Sequence, residues 1–306
     1  MEKFVINGPC RLQGTVKISG AKNSAVAILP ATLLVNGKCH LQNVPDISDI
    51  RAFIEILTHL GSKIEYINKN EIIIDNTQVH AGIASPSLTS KFRASYYLLG
   101  SMLGRFDKVQ ISLPGGCNLG ARPIDQHIKA LEKLGATVEV KNGNVYASRN
   151  KSLLGNNIFL DVVSVGATIN AILAATLAEG VTTIENVAKE PHIVDLASFL
   201  NSMGAKIKGA GTDVIKITGV KSLHQKYSYS IVPDQIEAGT FMVAAAATKG
   251  NVKITNCIPK HLEPITSKLI EAGAMVRIDG SDVYVSMSKR PKAFNIKTLP
   301  YPRIPN

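Results

Sequence analysis

The stretch "ALEKLGATVEVKNGNVYAS", Ala130–Ser148, carries the pattern on which the fold turns. It reads as the end of an amphipathic helix, a glycine at the helix C-terminus, and then a hairpin with alternating apolar residues. The pattern recurs in "ILTHLGSKIEYINKNEIIID" (Ile56–Asp75), "FLNSMGAKIKGAGTDVIKIT" (Phe199–Thr218) and "KLIEAGAMVRIDGSDVYVS" (Lys268–Ser286). The marker glycines Gly61, Gly135, Gly204 and Gly273 stand 74, 69 and 69 residues apart. Spacing that regular identifies tandem structural repeats.

Working outward, each marker is preceded by a second, more apolar helix and a strand. The helices are "NSAVAILPATLLVNG", "RASYYLLGSMLGRF", "GATINAILAATLAEG" and "AGTFMVAAAATKG", and the strands are "KCHLQNV", "KVQISL", "VTTIENV" and "NVKITNC". The repeat is therefore strand, helix, strand, helix, hairpin, and the fold class is mixed α/β. The first helix of each repeat is small and apolar nearly all round, which predicts burial in a domain centre with sheets outside. Residues 1–18 read as strands without helices, and residues 292–306 as the opening strand of a fifth repeat. The array is expected to continue past Asn306.

Composition limits the function. A length of 306 residues predicts about two domains, and 45% hydrophobic with 19% charged residues is ordinary for a soluble globular enzyme. The four cysteines, Cys10, Cys39, Cys117 and Cys257, lie far apart with no C-x-x-C pair. That argues against zinc or a redox dithiol and for a reducing, cytoplasmic setting. No metal or cofactor is called for. No signal peptide or membrane-length apolar run is present. The net charge of +11 comes from scattered basic residues, with 5% aromatics and no Trp, so an anionic small molecule fits better than nucleic acid or a membrane surface.

One loop departs from the repeat. From the strand to the second helix, Ile184 to Asp195 and Ile254 to Ile265 each take eleven steps, whereas Ile111 to Asp125 takes fourteen. The extra length falls in "SLPGGCNLGARPID" (Ser112–Asp125), where Cys117 sits among glycines. A Gly-rich loop lengthened in one copy is a candidate for function. Pro123 suits a first helical position and would put Arg122 at a helix N-terminus, ready for phosphate. Other helix starts repeat the theme: Lys22 with Asn23 or Ser24 as the cap, Ser164 with Gly166, and Arg93 beside Lys91. Brought together by the repeat, they would hold an anion with several phosphates or carboxylates.

Taken together, "INGPCRLQGTVKISGAKNS", "FRAS", "PGGCNLGARPID", "SVGAT", "LAEGVTTIENVAKEPHIVD", "VPDQIEAGTF" and "KRPKAFNIKTLPYP" resemble the enolpyruvyl transferases across essentially the whole chain. The branch acting on shikimate 3-phosphate lacks the cysteine loop, so Cys117 selects the UDP-sugar branch. The resemblance implies an inside-out α/β barrel with pseudo-threefold domains: residues 20–232 as a complete three-repeat domain, and residues 1–19 plus 233–306 as a second, incomplete one. It implies enolpyruvyl transfer from phosphoenolpyruvate to the 3-hydroxyl of UDP-N-acetylglucosamine, the first committed step of peptidoglycan synthesis. By the same resemblance Cys117 protonates the methylene carbon, and Lys22, Asn23, Arg93 and Arg122 hold phosphate and carboxylate. Arg122, Pro123, Ile124, Asp125 and Gln126, with Val162, Val163, Ser164 and Val165, would line the nucleotide-sugar site, and Glu190 and Asp234 match acidic positions nearby. The family's "PYPGFPTD" carries an Asp that contacts the sugar hydroxyl; here "PYPRIPN" reaches Asn306 just before that position. The alternative reading is a chain that binds UDP-sugar or a partner without turnover.

Overall fold

The computed structural model describes residues 3–80, 83–84, 86–89, 93–113 and 123–304. Its four marker glycines all adopt the left-handed backbone, with φ of 104°, 94°, 104° and 98° at Gly61, Gly135, Gly204 and Gly273. In each case the following amide reaches back five residues to a leucine carbonyl: Ser62 to Leu57, Ala136 to Leu131, Ala205 to Leu200 and Ala274 to Leu269, at 2.9–3.1 Å. One helix-ending motif is thus built four times, and a Cβ would disfavour its positive φ each time.

The elements follow the repeat. After β1 (Gln13–Lys17), the first repeat comprises α1 (Lys22–Ala31), β2 (Lys38–Gln42), α2 (Ser48–His59), β3 (Lys63–Asn68) and β4 (Glu71–Asp75). The second has α3 (Pro86–Thr89), α4 (Tyr97–Arg105), β5 (Lys108–Ser112), α5 (Asp125–Lys133), β6 (Thr137–Lys141) and β7 (Asn144–Ser148). The third runs through β8 (Asn157–Phe159), α6 (Val165–Thr176), β9 (Val181–Glu185), α7 (Pro191–Ser202), β10 (Lys206–Lys208) and β11 (Val214–Thr218). The fourth contains β12 (Tyr229–Ser230), α8 (Gln235–Ala247), β13 (Asn251–Thr255), α9 (Glu263–Glu271), β14 (Met275–Asp279) and β15 (Asp282–Ser286).

Each hairpin adds antiparallel to the strand between its repeat's two helices, as β4 on β2, β7 on β5, β11 on β9 and β15 on β13. Three of these sheets gain a parallel fourth strand: β12 beside β2, β8 beside β9 and β1 beside β13. Among the described residues the β5–β7–β6 sheet has only an isolated parallel bridge, Ile83 to Gln110, in that place.

The chain divides into two compact units, Lys22–Val232 and the residues on either side of it. The larger has its own apolar core, in which α4 packs on both α1 and α6. Residues 24–31 of α1 and 167–176 of α6 are all buried. The smaller has a separate core centred on Ile18, Met242, Ile254, Val283 and Val285. No helix among the described residues is long and apolar enough to cross a membrane.

Four local expectations change. Of the described residues 3–18, only Gln13–Lys17 forms a strand; residues 3–12 are exposed and form no strand, although the Leu12 carbonyl accepts from Asn251 N–H at the start of β13 at 2.8 Å. Residues 292–304 contain no strand: Pro300 and Pro302 lack amide donors, and the chain turns back with Leu299 N–H bonded to the Ile304 carbonyl at 2.9 Å. Helix α5 starts at Asp125 with Ile124 at its N-cap, so Pro123 precedes the helix instead of opening it. Helix α1 already includes Lys22, Asn23 and Ser24, so neither Asn23 nor Ser24 stands ahead of it as a cap.

Candidate functional site

Helix starts from three repeats meet at one cavity of about 460 Å³ in the larger unit. Lys22 and Asn23 come from the first turn of α1, Asp49 from that of α2, and His127 from that of α5. Tyr96 and Tyr97 enter where the 3-10 turn Arg93–Tyr96 becomes α4, and Ser164, Val165 and Gly166 where α6 begins. The apolar helices converge because their buried faces must pack on one another; their amide-rich ends are carried along. Neither α1 nor α6 has an acidic residue in its first turn. Their positive dipole ends therefore face the cavity without an internal counter-charge, which favours an anion.

The cavity has both charges on its wall. Lys22 Nζ lies 2.9 Å from Asp49 Oδ2, and both side chains stay partly exposed. Ser164 caps α6, its hydroxyl accepting from Ala167 N–H at 3.3 Å. The His127 ring is buried and tilted against Tyr96, with ring centroids 5.9 Å apart. This is a polar, partly enclosed pocket with one ammonium, several helix-end amides and one carboxylate.

Of the residues singled out from the sequence, Lys22, Asn23, Ser164, Val165 and Gly166 line this cavity. Ile124 and Gln126 are buried, while Pro123, Asp125, Val162 and Val163 are exposed. Gln126 donates to the Asp125 carboxylate, and that bond is the main cause holding the Asp125 carboxyl below its usual range. Glu190 is the N-cap residue of α7 and keeps one buried carboxylate oxygen without a hydrogen-bond partner among the described residues. Asp234 belongs to the smaller unit, where it caps α8 by accepting from Ile236 N–H at 2.7 Å and Glu237 N–H at 3.2 Å. Cys117 and Arg122 lie outside the described residues, as does the side chain of Arg93.

Sequence reasoning missed Asp49, Tyr96, Tyr97 and His127. His127 directly follows the singled-out 122–126 segment, so extending that segment by one position would have included it. Asp49 had no such signal, because its nearness to Lys22 depends on how α2 packs against α1. Among the described residues no group of three or more His, Cys, Asp or Glu is placed to hold a metal ion.

An α/β repeat protein with anion-ready helix ends around a polar cavity is the class that fold and site define. The family profile of EPSP synthase (3-phosphoshikimate 1-carboxyvinyltransferase) matches residues 6–305, and the chain belongs to that family. It is 56% identical over 306 residues to UDP-N-acetylglucosamine 1-carboxyvinyltransferase of Clostridium botulinum (strain ATCC 19397 / Type A), spanning all of this chain and 73% of that one. It is 55% identical to UDP-N-acetylglucosamine 1-carboxyvinyltransferase 2 of Clostridium acetobutylicum, again over the whole chain and 72% of the relative. Among solved structures it resembles the enolpyruvyl transferase NikO from Streptomyces tendae, with TM-score 0.82 and 24% identity over 92% of this chain and 67% of that one. EPSP synthase from Acinetobacter baumannii aligns with TM-score 0.71 and 20% identity over 96% of this chain and 68% of the other. These two likenesses establish the fold.

Proposed function

We propose that the chain transfers enolpyruvyl from phosphoenolpyruvate to the 3-hydroxyl of UDP-N-acetylglucosamine and releases phosphate. The observation that carries this reading is the 56% identity, across every residue of the chain, to a protein named for that transfer. The cavity supports it in kind: helix-end amides with Lys22 and Asn23 are the groups a phosphate or carboxylate seeks. On this reading residues 20–232 are a three-repeat domain, and residues 1–19 with 233–306 belong to a second.

The sugar hydroxyl adds to C2 of phosphoenolpyruvate while a proton goes to the C3 methylene. The resulting tetrahedral adduct then loses phosphate and a C3 proton, which restores the enol ether. Cys117 is the group we assign to the C3 proton. Lys22, Asn23, Arg93 and Arg122 hold the phosphate and carboxylate and offset the charge that develops as phosphate departs. The segments 122–126 and 162–165 line the nucleotide-sugar site, with Glu190 as a further acidic contact. The cytoplasm, where unpaired cysteines stay reduced, is the compartment that fits.

Phosphate release from phosphoenolpyruvate, measured with and without UDP-N-acetylglucosamine, tests the proposal. Sugar-dependent release supports it, and a Lys22→Ala change should then lower turnover by roughly 10²–10³-fold, the usual loss for a group that stabilises developing charge. Absence of sugar-dependent release by the 306-residue chain overturns it. Nucleotide binding without turnover would leave the second reading, a sugar-nucleotide binder. Slower alkylation of Cys117 in the presence of UDP-N-acetylglucosamine would place the nucleotide near that loop.

A further inference from the structure

Gln126 spends its carboxamide on joining two segments. Its Oε1 accepts the Asp161 N–H at 2.9 Å, and its Nε2 donates to Asp125 Oδ2 at 2.9 Å and to Asp161 Oδ2 at 3.1 Å. The other Asp161 oxygen takes the Lys129 ammonium at 2.6 Å. Gln126 and Lys129 lie on consecutive turns of α5, and Asp161 opens the 161–164 loop that leads into α6. Both ends of this clamp stand beside residues assigned above to the nucleotide-sugar site: Asp125 on one side, Val162 to Val165 on the other.

The exposures separate two roles. Gln126 is 6% exposed, and both of its N–H donors are committed, so its amide has no face to offer a ligand. Val162 and Val163 are 59% and 46% exposed, so this loop is open to solvent beside the buried Gln126. The short loop is held at its base by the clamp and at its far end by the Ser164 cap, with the two valines between. A loop with few residues and both ends fixed offers its backbone to a ligand in one arrangement, which reduces the ordering cost of binding.

We infer that Gln126, Asp161 and Lys129 form a positioning clamp that sets the distance between the two walls of the nucleotide-sugar site, Gln126 acting through its neighbours and not as a ligand. The inference rests on the reading that this unit binds UDP-N-acetylglucosamine. The Lys129 bond, with a smaller contribution from Gln126, holds the Asp161 carboxyl below the usual carboxylate range, so the clamp is ionised at neutral pH. The Lys129 contact is partly exposed and contributes less than the buried amide.

The test is calorimetric titration of the full 306-residue chain and its variants with UDP-N-acetylglucosamine, beside urea denaturation of each. Gln126→Leu keeps the side-chain volume but removes all three bonds. It should raise Kd about tenfold, the equivalent of one to two lost hydrogen bonds. Lys129→Ala should raise Kd by roughly threefold, and Lys129→Arg should restore it. A merely structural role predicts a lower urea midpoint for Gln126→Leu with Kd unchanged, and that result overturns the clamp while leaving nucleotide binding standing. If the parent chain does not bind the nucleotide, the functional reading fails and the clamp falls with it.

Discussion

Helices α6 and α8 come from the same slot of the repeat and share a composition, yet they end in different surroundings. Every residue of α6 from Ala167 to Thr176 is buried, because α4 and α5 pack along it. In α8, Ile236, Thr240, Val243 and Ala247 are exposed along one face, and only Ala238, Gly239, Met242, Ala245 and Ala246 are buried. An apolar stripe therefore has no fixed meaning: among the described residues the same pattern is fully covered by neighbours in one unit and only partly covered in the other. Burial is a property of the neighbours.

The largest expected effect sharpens that contrast. Ile172→Asp would place a carboxylate at a position with no exposure and should cost more than about 4 kcal/mol, enough to unfold the larger unit. Val243→Asp on α8, at 49% exposure, should change stability by less than about 0.5 kcal/mol. Urea titrations followed by circular dichroism decide between them. Comparable losses at both positions would mean that α8 is covered in solution.

Two glycines give the next comparison. A Cβ on Gly100 of α4 would come within 2.4 Å of the Asn170 carbonyl oxygen on α6, and backbone cannot step aside. Gly100→Ala should cost about 2–3 kcal/mol by forcing the two helices apart. A Cβ on Gly239 of α8 would meet Ile265 Cδ1 at 2.6 Å, the mobile end of a side chain. Gly239→Ala should cost under about 1 kcal/mol, offset in part by the better helix propensity of alanine. Equal shifts in urea midpoint would remove the distinction between the tightly packed pair and the looser one.

The polar staples differ in the same direction. In the larger unit the Tyr229 hydroxyl donates to the buried Asp195 carboxylate at 2.5 Å, which ties β12 to α7. In the smaller unit the Ser19 hydroxyl and amide both donate to Glu237, at 2.6 and 3.0 Å, where solvent competes. Tyr229→Phe should cost about 1–3 kcal/mol, and Glu237→Gln under about 1 kcal/mol. Burial lifts the Asp195 carboxyl above its ordinary range, against the opposing Tyr229 bond. The folded chain then holds this proton more tightly than the unfolded chain does. The contribution to stability is complete below the unfolded value near 4 and is lost as pH rises through the raised folded value. Asp195→Asn should flatten that decline, which denaturation between pH 4 and 8 measures.

Thiol reactivity gives the gentlest discrimination, since nothing need unfold to read it. Burial pushes the Cys39 thiol to about 12 and the Cys257 thiol to about 11, while Cys10 is exposed. Of these three thiols, alkylation at pH 8 should label Cys10 first, Cys257 later, and Cys39 only when the larger unit opens. Mass spectrometry of a time course reports the order, and early labelling of Cys39 would contradict the packing described for β2.

Much of this was legible in the chain, for reasons that can be located. The Gly135 stretch specified its helix end because the left-handed glycine and its back-bonded amide involve residues within five positions of each other. The expectation that the first helix of each repeat is buried holds for α1, α4 and α6, which other helices cover, but not for α8, where Ile236, Thr240 and Val243 stay exposed. Three errors came from reading local pattern where partners decide. "KAFNIKTLPYP" and residues 3–12 looked like strands but form none, and Pro123 proved to be ahead of α5.

The sequence alone determined the repeat, the helix ends, the mixed α/β class and the odd length of the Cys117 loop, because each is written in short-range spacing. Only the tertiary structure decided that Lys22 meets Asp49, that His127 turns into the cavity with Tyr96, and that Gln126 grips Asp161. Those pairs lie 27, 31 and 35 positions apart, and their distances are set by how whole helices pack. Short-range spacing fixes the elements; the sum of non-local contacts fixes which of their ends coincide.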